Sequence, residues 1–476
     1  MKKQKILYGA GHYGKQAFSY YGADMVYAFA DRSKHGEIYC GKPVLEPSEL
    51  FDYKDSHEII ICVKKYGKII EYLKSLSVNN FELFIALEDV RCGNQFNISP
   101  VTQYQIEEMS KLDFIETPEH ISKYIDFYLS HFKRTTRVTK SNEKDFDVRY
   151  IEENKIYGYY SEMARYANRN NQYYEAPSVC HYYNWVDDLP LDILWFNLIE
   201  AGSNRRAFVH KLNKDCLYFA VGPYMDYVKP YYEKDRLNAI KKKWGRTLVI
   251  FPVHTNNSTV NFDRGLFINS ALEYAKSYNT IVVCTYWADF NKTFIQEFRS
   301  LGAKVVTAGF IDDPMFTRRL KTIMHLADGI FTNSLGSHVG HAISMGVPIK
   351  YFSQNIVMHS TEQHMNCYLA HPSHTRLEEM LIMNGENHKS DDLLTAFEPS
   401  LGFSHHKSEA EMGAILDLSK RIIVNSGYKR SMYIESIRKT YRELQSIESD
   451  TGILQFSLMK GALPVDYESH LAKLGG

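Results

Sequence analysis

The sequence predicts an α/β fold built from several Rossmann-like, doubly wound parallel sheets, and three observations carry that expectation. Residues 5–21 read as an apolar strand, a glycine-rich turn and a helix. Residues 247–352 alternate short apolar runs with helical stretches, the rhythm of parallel strands joined by crossover helices. Composition is that of an ordinary globular chain, 44% hydrophobic and 24% charged. At roughly 100 to 200 residues per domain, 476 residues make two to four domains.

Taken in order, the first module spans 1–98. Its strands are expected at Lys5–Tyr8, Val26–Ala30, Glu58–Val63 and Phe81–Ala86, with helices at Tyr13–Tyr21 and Lys65–Leu76. Residues 99–240 are rich in Tyr, Asn and charge, and only Ser178–Cys180 and Cys216–Val221 read as strands there. From 241 to 400 the pattern returns. Strands fall at 247–253, 280–285, 304–306, 329–332 and 348–352, and helices at 266–278, 291–301, 313–327 and 336–345. A helical tail, 401–476, is expected to pack back across the domains.

Lys plus Arg equals Asp plus Glu at 56 each, so no basic field is available for a nucleic acid backbone. Residues 1–11 lack the apolar core of a signal peptide, and no run approaches the roughly 18 apolar residues of a membrane span. Seven cysteines without any Cys-x-x-Cys imply reduced thiols in a cytoplasm and no structural zinc. Asp145 and Asp147 could pair on a divalent cation, but they sit in a charged run that reads as solvated surface.

Gly9-Ala10-Gly11-His12-Tyr13-Gly14 places G-x-G-x-x-G between a strand and a helix, with Asp31 closing the next strand. Glycines Gly9, Gly11 and Gly14 permit a tight turn and a close phosphate approach, and Asp31 stands where a ribose hydroxyl would be read. A purely structural strand-to-helix turn gives the same pattern. The module is too short for a second mononucleotide half, which favours a nucleotide or nucleotide-sugar over NAD.

A stronger signal is Asp328-Gly329-Ile330-Phe331-Thr332-Asn333-Ser334-Leu335-Gly336-Ser337-His338-Val339-Gly340-His341-Ala342, followed by Gly346-Val347-Pro348-Ile349. A buried strand delivers a Ser/Gly/Ser turn to the positive end of a helix, where a phosphate fits. Ser334, Gly336, Ser337 and His338 are the candidates to hold it, with His341 three residues on, although a simple Ser-capped turn would read alike. His338 and His341 lack further ligands for a metal. His254 and Thr255 follow the first strand of the same lobe, at the edge where open α/β sheets bind ligands. His181, with Asp187 and Asp188 nearby, is the candidate general base, against the alternative of structural roles.

The segment 328–349 resembles the donor site of GT-B glycosyltransferases, which have two facing Rossmann-like lobes, and of the related nucleotide-sugar 2-epimerases. Phe251-Pro252-Val253-His254-Thr255 resembles the start of the second lobe in bacterial surface-polysaccharide transferases. Gly41-Lys42-Pro43-Val44-Leu45 after Asp31 resembles the N-terminal domain of nucleotide-sugar acyltransferases over residues 5–90, without their hexapeptide repeats. One departure stands out: those donor sites often carry Glu just before the Ala, and Gly340 and His341 stand here, which weakens a UDP-sugar reading and leaves CMP or another nucleotide open.

The resemblance implies a metal-independent glycosyltransferase needing no cofactor. It would transfer a sugar from a UDP- or CMP-linked donor to a saccharide or glycolipid acceptor in capsule or lipopolysaccharide synthesis. The expected location is the cytoplasm, with peripheral attachment to the inner face of the membrane left open, and no nucleic acid partner. Residues 99–240 would form the acceptor-side lobe and 241–400 the donor lobe. Three rivals stand: a nucleotide-sugar epimerase, a non-catalytic nucleotide-sugar-binding protein, and an NAD-dependent oxidoreductase built on Gly9–Gly14.

Overall fold

Parallel strands covered on both faces need continuous apolar runs, and Thr247–Phe251 and Gly329–Thr332 are buried at every position. In the computed structural model such runs organise two compact units. One comprises Met1–Asp113 and Pro118–Asn142, the other Phe114–Thr117 and Glu143–Gly476. The structure describes residues 3–474 apart from 64–66, 80, 86–94, 99–100, 136–151, 170–176, 181–182, 184, 186–196, 255–258, 360–370, 388–389 and 428–431.

The first unit holds strands β1 (Lys5–Tyr8), β2 (Val26–Ala30), β3 (Ile38–Tyr39), β4 (Lys42–Leu45), β5 (Glu58–Ile61), β6 (Phe81–Ile85), β7 (Gln95–Ile98), β8 (Val101–Thr102) and β9 (Phe132–Thr135). Its main sheet runs β3-β4-β2-β1-β5-β6-β8, with a parallel interior and antiparallel edges at β3 and β8. The unit extends past residue 98. Strand β8 joins its sheet, and the helix Pro118–His131 groups with it rather than with the following lobe.

The second unit contains two parallel sheets. The smaller runs β10 (Ser178–Val179), β11 (Asn197–Glu200), β12 (Leu217–Ala220). Strand β11 had no counterpart in the sequence reading. The larger consists of β13 (Thr247–Phe251), β15 (Thr280–Cys284), β16 (Lys304–Val306), β17 (Gly329–Thr332) and β18 (Ile349–Tyr351) in the order β16-β15-β13-β17-β18. A short antiparallel pair, β14 (Thr259–Asn261) with β19 (Val357–His359), accompanies it. Crossover helices Thr293–Ser300, Phe316–Leu326 and Ser337–Ser344 lie within the expected stretches, trimmed at their ends, and Arg264–Ala275 starts two residues before and ends three residues before the expected one. The α/β class and its Rossmann-like parallel sheets are therefore those the sequence predicts.

The tail is helical and returns to the smaller sheet. A capping box of Ser408 and Glu411 starts the helix Glu409–Asn425, which packs on the helix Tyr159–Tyr166. The helix Asp450–Ala462 packs on β12. Polar ties fix it there: Asp215 accepts from Arg438 at 3.1 Å and from the Tyr467 hydroxyl at 3.0 Å. The small lobe thus completes its core with residues more than two hundred positions away.

Candidate functional site

In the larger sheet the chain goes from β13 outward to β15 and β16, then returns to place β17 on the other side of β13. The order reverses between β13 and β17, and ligands of open α/β sheets bind outside the carboxyl ends of strands at such a point. The residues leaving those ends are Pro252, Val253 and His254 on one side and Asn333 to Gly336 on the other.

Side chains tie the two strand ends together. Thr332 Oγ1 donates to the Phe251 carbonyl at 2.8 Å, and the Val253 amide donates to Asn333 Oδ1 at 2.8 Å. Asn333 is 1% exposed, and its Nδ2, set between the strand ends by the bond to Oδ1, has no hydrogen-bond partner among the described residues. A buried amide donor left unpaired costs free energy on the order of 1–3 kcal/mol, the mark of a group kept for a ligand or water. Gln354, three residues beyond β18 on the same sheet edge, has no partner at either amide atom among the described residues.

The helix Ser337–Ser344 starts from Gly336, and no side chain caps it. Its first amides point out of the helix end with the positive pole of the dipole behind them. Ser334 and Ser337 are partly exposed beside it. His338 stacks on Phe251, ring centroids 4.9 Å apart, and its Nε2 lies 2.8 Å from Thr332 Oγ1. Half-buried by its own exposed surface, the ring is still walled in by protein. That desolvation first, then the charge of His254, holds its pKa down to about 3 against the opposing pull of the Ser334 carbonyl. His254 lies against Tyr286, ring centroids 5.2 Å apart, at the end of β15. Ser334, Gly336, Ser337, His338 and His254 are thus brought to one sheet edge.

His341 is not. Its ring is fully buried, with Nε2 2.6 Å from the Tyr159 hydroxyl and Nδ1 3.1 Å from that of Tyr183. Burial, then the charge of His338, holds its pKa down to about 3. Both nitrogens are engaged inside the core, so the expected donor contact gives way to a packing role. The same contact accounts for Gly340, where a Cβ would lie 2.3 Å from the Tyr183 ring. Trp185 donates from Nε1 to the Leu335 carbonyl at 3.1 Å and completes this seam between the lobes.

The candidate base group His181, Asp187 and Asp188 lies outside the described residues, as do Thr255 and the pair Asp145 and Asp147. Among the described residues no group of three or more His, Cys, Asp or Glu is arranged to hold a metal, and no helix is long and apolar enough to cross a membrane. Sequence reasoning gave no role to Asn333, Gln354, Tyr159 or Tyr183. A polar residue just after a buried strand was the available signal for the first two.

In the first unit the glycine turn leaves β1 where the sheet order also reverses, between β1 and β5. Gly9 takes φ +114°, and a Cβ on Gly14 would lie 1.9 Å from the Gly9 carbonyl oxygen. Asp31 closes the turn from within. Its Oδ2 accepts from the Ala10 amide at 2.9 Å and its Oδ1 from the Ser33 amide and hydroxyl at 2.9 and 2.7 Å. Lys34 Nζ donates to the Ala10 carbonyl at 2.8 Å, and Tyr39 donates to that of Gly11 at 3.0 Å. Partial burial works to raise the Asp31 pKa, but the bonds from Ser33 and Ala10 and the nearby Lys34 carry it below the usual value. A phosphate on the Ala10 amide would have to displace this carboxylate.

No protein-family model matches the chain, and no curated protein does. Solved structures similar to it include HepE of Anabaena in complex with UDP and glucose, at 10% identity over 87% of this chain and 98% of that one, TM-score 0.27. MnaA of S. aureus with UDP is 11% identical over 89% of this chain and 95% of that one, TM-score 0.29. A glycosyltransferase of Rickettsia africae is 11% identical over 94% of this chain and 100% of that one, TM-score 0.25. The strand orders above, rather than these TM-scores, define the chain as an α/β protein of Rossmann-like parallel sheets.

Proposed function

We propose that the protein is a glycosyltransferase of GT-B type, which moves a sugar from a UDP- or CMP-linked donor to a hydroxyl of a saccharide or glycolipid. The observation that carries this reading is the uncapped helix end at the switch point of the larger sheet, beside the unpaired Asn333 amide. Donor phosphate would lie on the first amides of Ser337–Ser344, with the Ser334 and Ser337 hydroxyls and Asn333 Nδ2 donating to its oxygens. As the glycosidic bond lengthens, negative charge grows on the departing phosphate. Fixed backbone donors and the helix dipole stabilise that charge without reorganising, so the proposal includes no metal or cofactor. Inverting transfer also needs a base for the acceptor hydroxyl, and His181 or the neighbouring Asp187 and Asp188 are proposed for it. A role in bacterial surface glycan synthesis, in the cytoplasm or at the inner face of the membrane, is proposed on the resemblance of residues 251–255 and 328–349.

Thermal-shift titration with UDP, CMP, GDP and NAD tests this reading, because a ligand that binds only the folded state raises the melting temperature. UDP or CMP should stabilise the wild type and Gly11→Ala alike, and Ser337→Ala should bind on the order of three- to tenfold more weakly. Stabilisation by NAD alone, lost in Gly11→Ala, would move the site to the first unit. Product analysis without any acceptor separates transfer from epimerisation.

A further inference from the structure

His338 lies in the first turn of the helix, and its own hydrogen bonds fix which nitrogen carries the proton. Thr332 Oγ1 is 2.8 Å from the Phe251 carbonyl and 2.8 Å from His338 Nε2. A hydroxyl has one hydrogen, and a carbonyl oxygen can only accept, so that hydrogen belongs to Phe251. Nε2 must then bear its own proton and donate it to Oγ1, which also accepts from the Ser334 amide at 3.3 Å. A neutral ring protonated at Nε2 keeps a lone pair on Nδ1. The near-parallel stack on Phe251, at 16°, holds the ring in that orientation.

Nδ1 faces the residue that caps the helix. A Cβ at position 336 would lie 2.7 Å from Nδ1 and 2.8 Å from the adjoining ring carbon. Gly336 itself has φ −100° and ψ 177°, extended backbone that any residue can adopt. The backbone does not require glycine there; the open space over Nδ1 does.

We infer that His338 Nδ1 is a fixed acceptor for a hydroxyl of the bound ligand, from the ribose or from the transferred sugar, and that it does not hold phosphate. This rests on the nucleotide-sugar reading. A lone pair repels a phosphate oxygen and attracts an O–H, so the site reads two chemistries side by side. Amides and serine hydroxyls take the anion, and the imidazole takes a hydroxyl. Desolvation and the neighbouring His254 keep the ring neutral through the physiological range, in keeping with that division.

The test has one arm without ligand and one with it. In the full chain labelled with 15N-histidine, NMR spectra assigned against His338→Phe should show a neutral ring protonated at Nε2 from pH 5 to 8. Calorimetric titration then uses UDP, 2′,3′-dideoxy-UDP and UDP-glucose. His338→Phe keeps the stack and removes the acceptor, whereas His338→Asn places an amide oxygen near the position of Nδ1. The Phe variant should lose on the order of three- to tenfold in affinity for the ligand bearing the recognised hydroxyl, with part of it recovered in the Asn variant. Loss on UDP but not on the dideoxy nucleotide identifies the ribose; loss on UDP-glucose but not on UDP identifies the sugar. The ratio of wild-type to Phe-variant affinity should stay level between pH 5 and 8. A proton on Nδ1 of the free protein, unchanged affinity in the Phe variant, equal loss on all three ligands, or a wild-type-to-Phe affinity ratio that grows through pH 6.5 would each overturn the inference. Wild type that binds neither these three nor CMP and a CMP-linked sugar would bring down the nucleotide-sugar reading itself, and the wild-type titrations alone reveal it.

Discussion

The turn after β1 and the turn after β17 both leave a parallel strand where its sheet reverses order, and both start a helix through glycine. In the first, the Ala10 amide is taken by Asp31, and Lys34 and Tyr39 hold the carbonyls of Ala10 and Gly11. In neither does a side chain cap the helix itself, but in the second the adjacent Asn333 amide has nothing to donate to among the described residues. Sequence patterns of strand, glycine and helix therefore mark where an anion could bind. They do not tell whether the protein has already filled that position itself.

The largest test of this contrast acts on the glycines. Gly14→Ala forces a Cβ within 1.9 Å of the Gly9 carbonyl oxygen, a backbone atom that cannot swing aside. We expect about 3 kcal/mol of lost stability in the first unit, measured as faster amide exchange across residues 5–30. Gly336→Ala meets the His338 ring at 2.7 Å rather than a backbone atom, and shifting that ring on Phe251 and Thr332 should cost less, about 1–2 kcal/mol. Equal losses would mean that both turns are shaped by packing alone.

A second test separates the two faces of the helix Ser337–Ser344. His341→Phe keeps an aromatic ring, slightly larger, but removes a partner from the Tyr159 and Tyr183 hydroxyls, at a cost of about 2 kcal/mol. The folded pKa of His341, about 3, lies below the unfolded value of roughly 6.5, so the neutral ring contributes stability that is full above pH 6.5. That contribution is lost as pH falls from 6.5 towards 3. The variant should be less stable than wild type at pH 7 and show a flatter acid limb in urea denaturation between pH 7 and 4. An unchanged limb would mean that His341 is not the group charged on acidification.

These residues also show what was legible in the sequence. Runs such as Leu248–Phe251 and Ile330–Phe331 are apolar because both sheet faces are covered, so the strands could be placed from composition alone. Ser334 to His338 stood out because a turn at a strand end has its own chemistry. Asn333 did not, because its role depends on β13 lying beside β17, eighty residues away, where Val253 meets its side chain. His338 and His341, three apart, read as one helical face. They part company because Tyr183 of the other lobe claims His341. The small lobe was hardest to read: β10 is two residues long, and its sheet is covered by helices from the end of the chain.

The smallest effect expected is also the one that could turn the first turn into the second. Asp31 is substantially exposed, so the bonds it accepts are screened, and Asp31→Ala should cost about 1 kcal/mol at pH 7, seen as faster amide exchange at residues 9–22. The folded pKa is lowered relative to the unfolded value of roughly 3.9, so the carboxylate's contribution is present above that pH. It begins to fade below the unfolded value, and wild type and variant should converge only once pH has dropped below the lower folded value. Removing the carboxylate also frees the Ala10 amide at the start of the helix His12–Tyr21. Inorganic phosphate should then slow exchange at residues 9–14 in the variant and leave the wild type unaffected. If phosphate protects both equally, Asp31 does not occupy the anion position. If it protects neither, the exposed amide is insufficient, and the hydroxyls and buried amide gathered around the second turn are what a phosphate site requires.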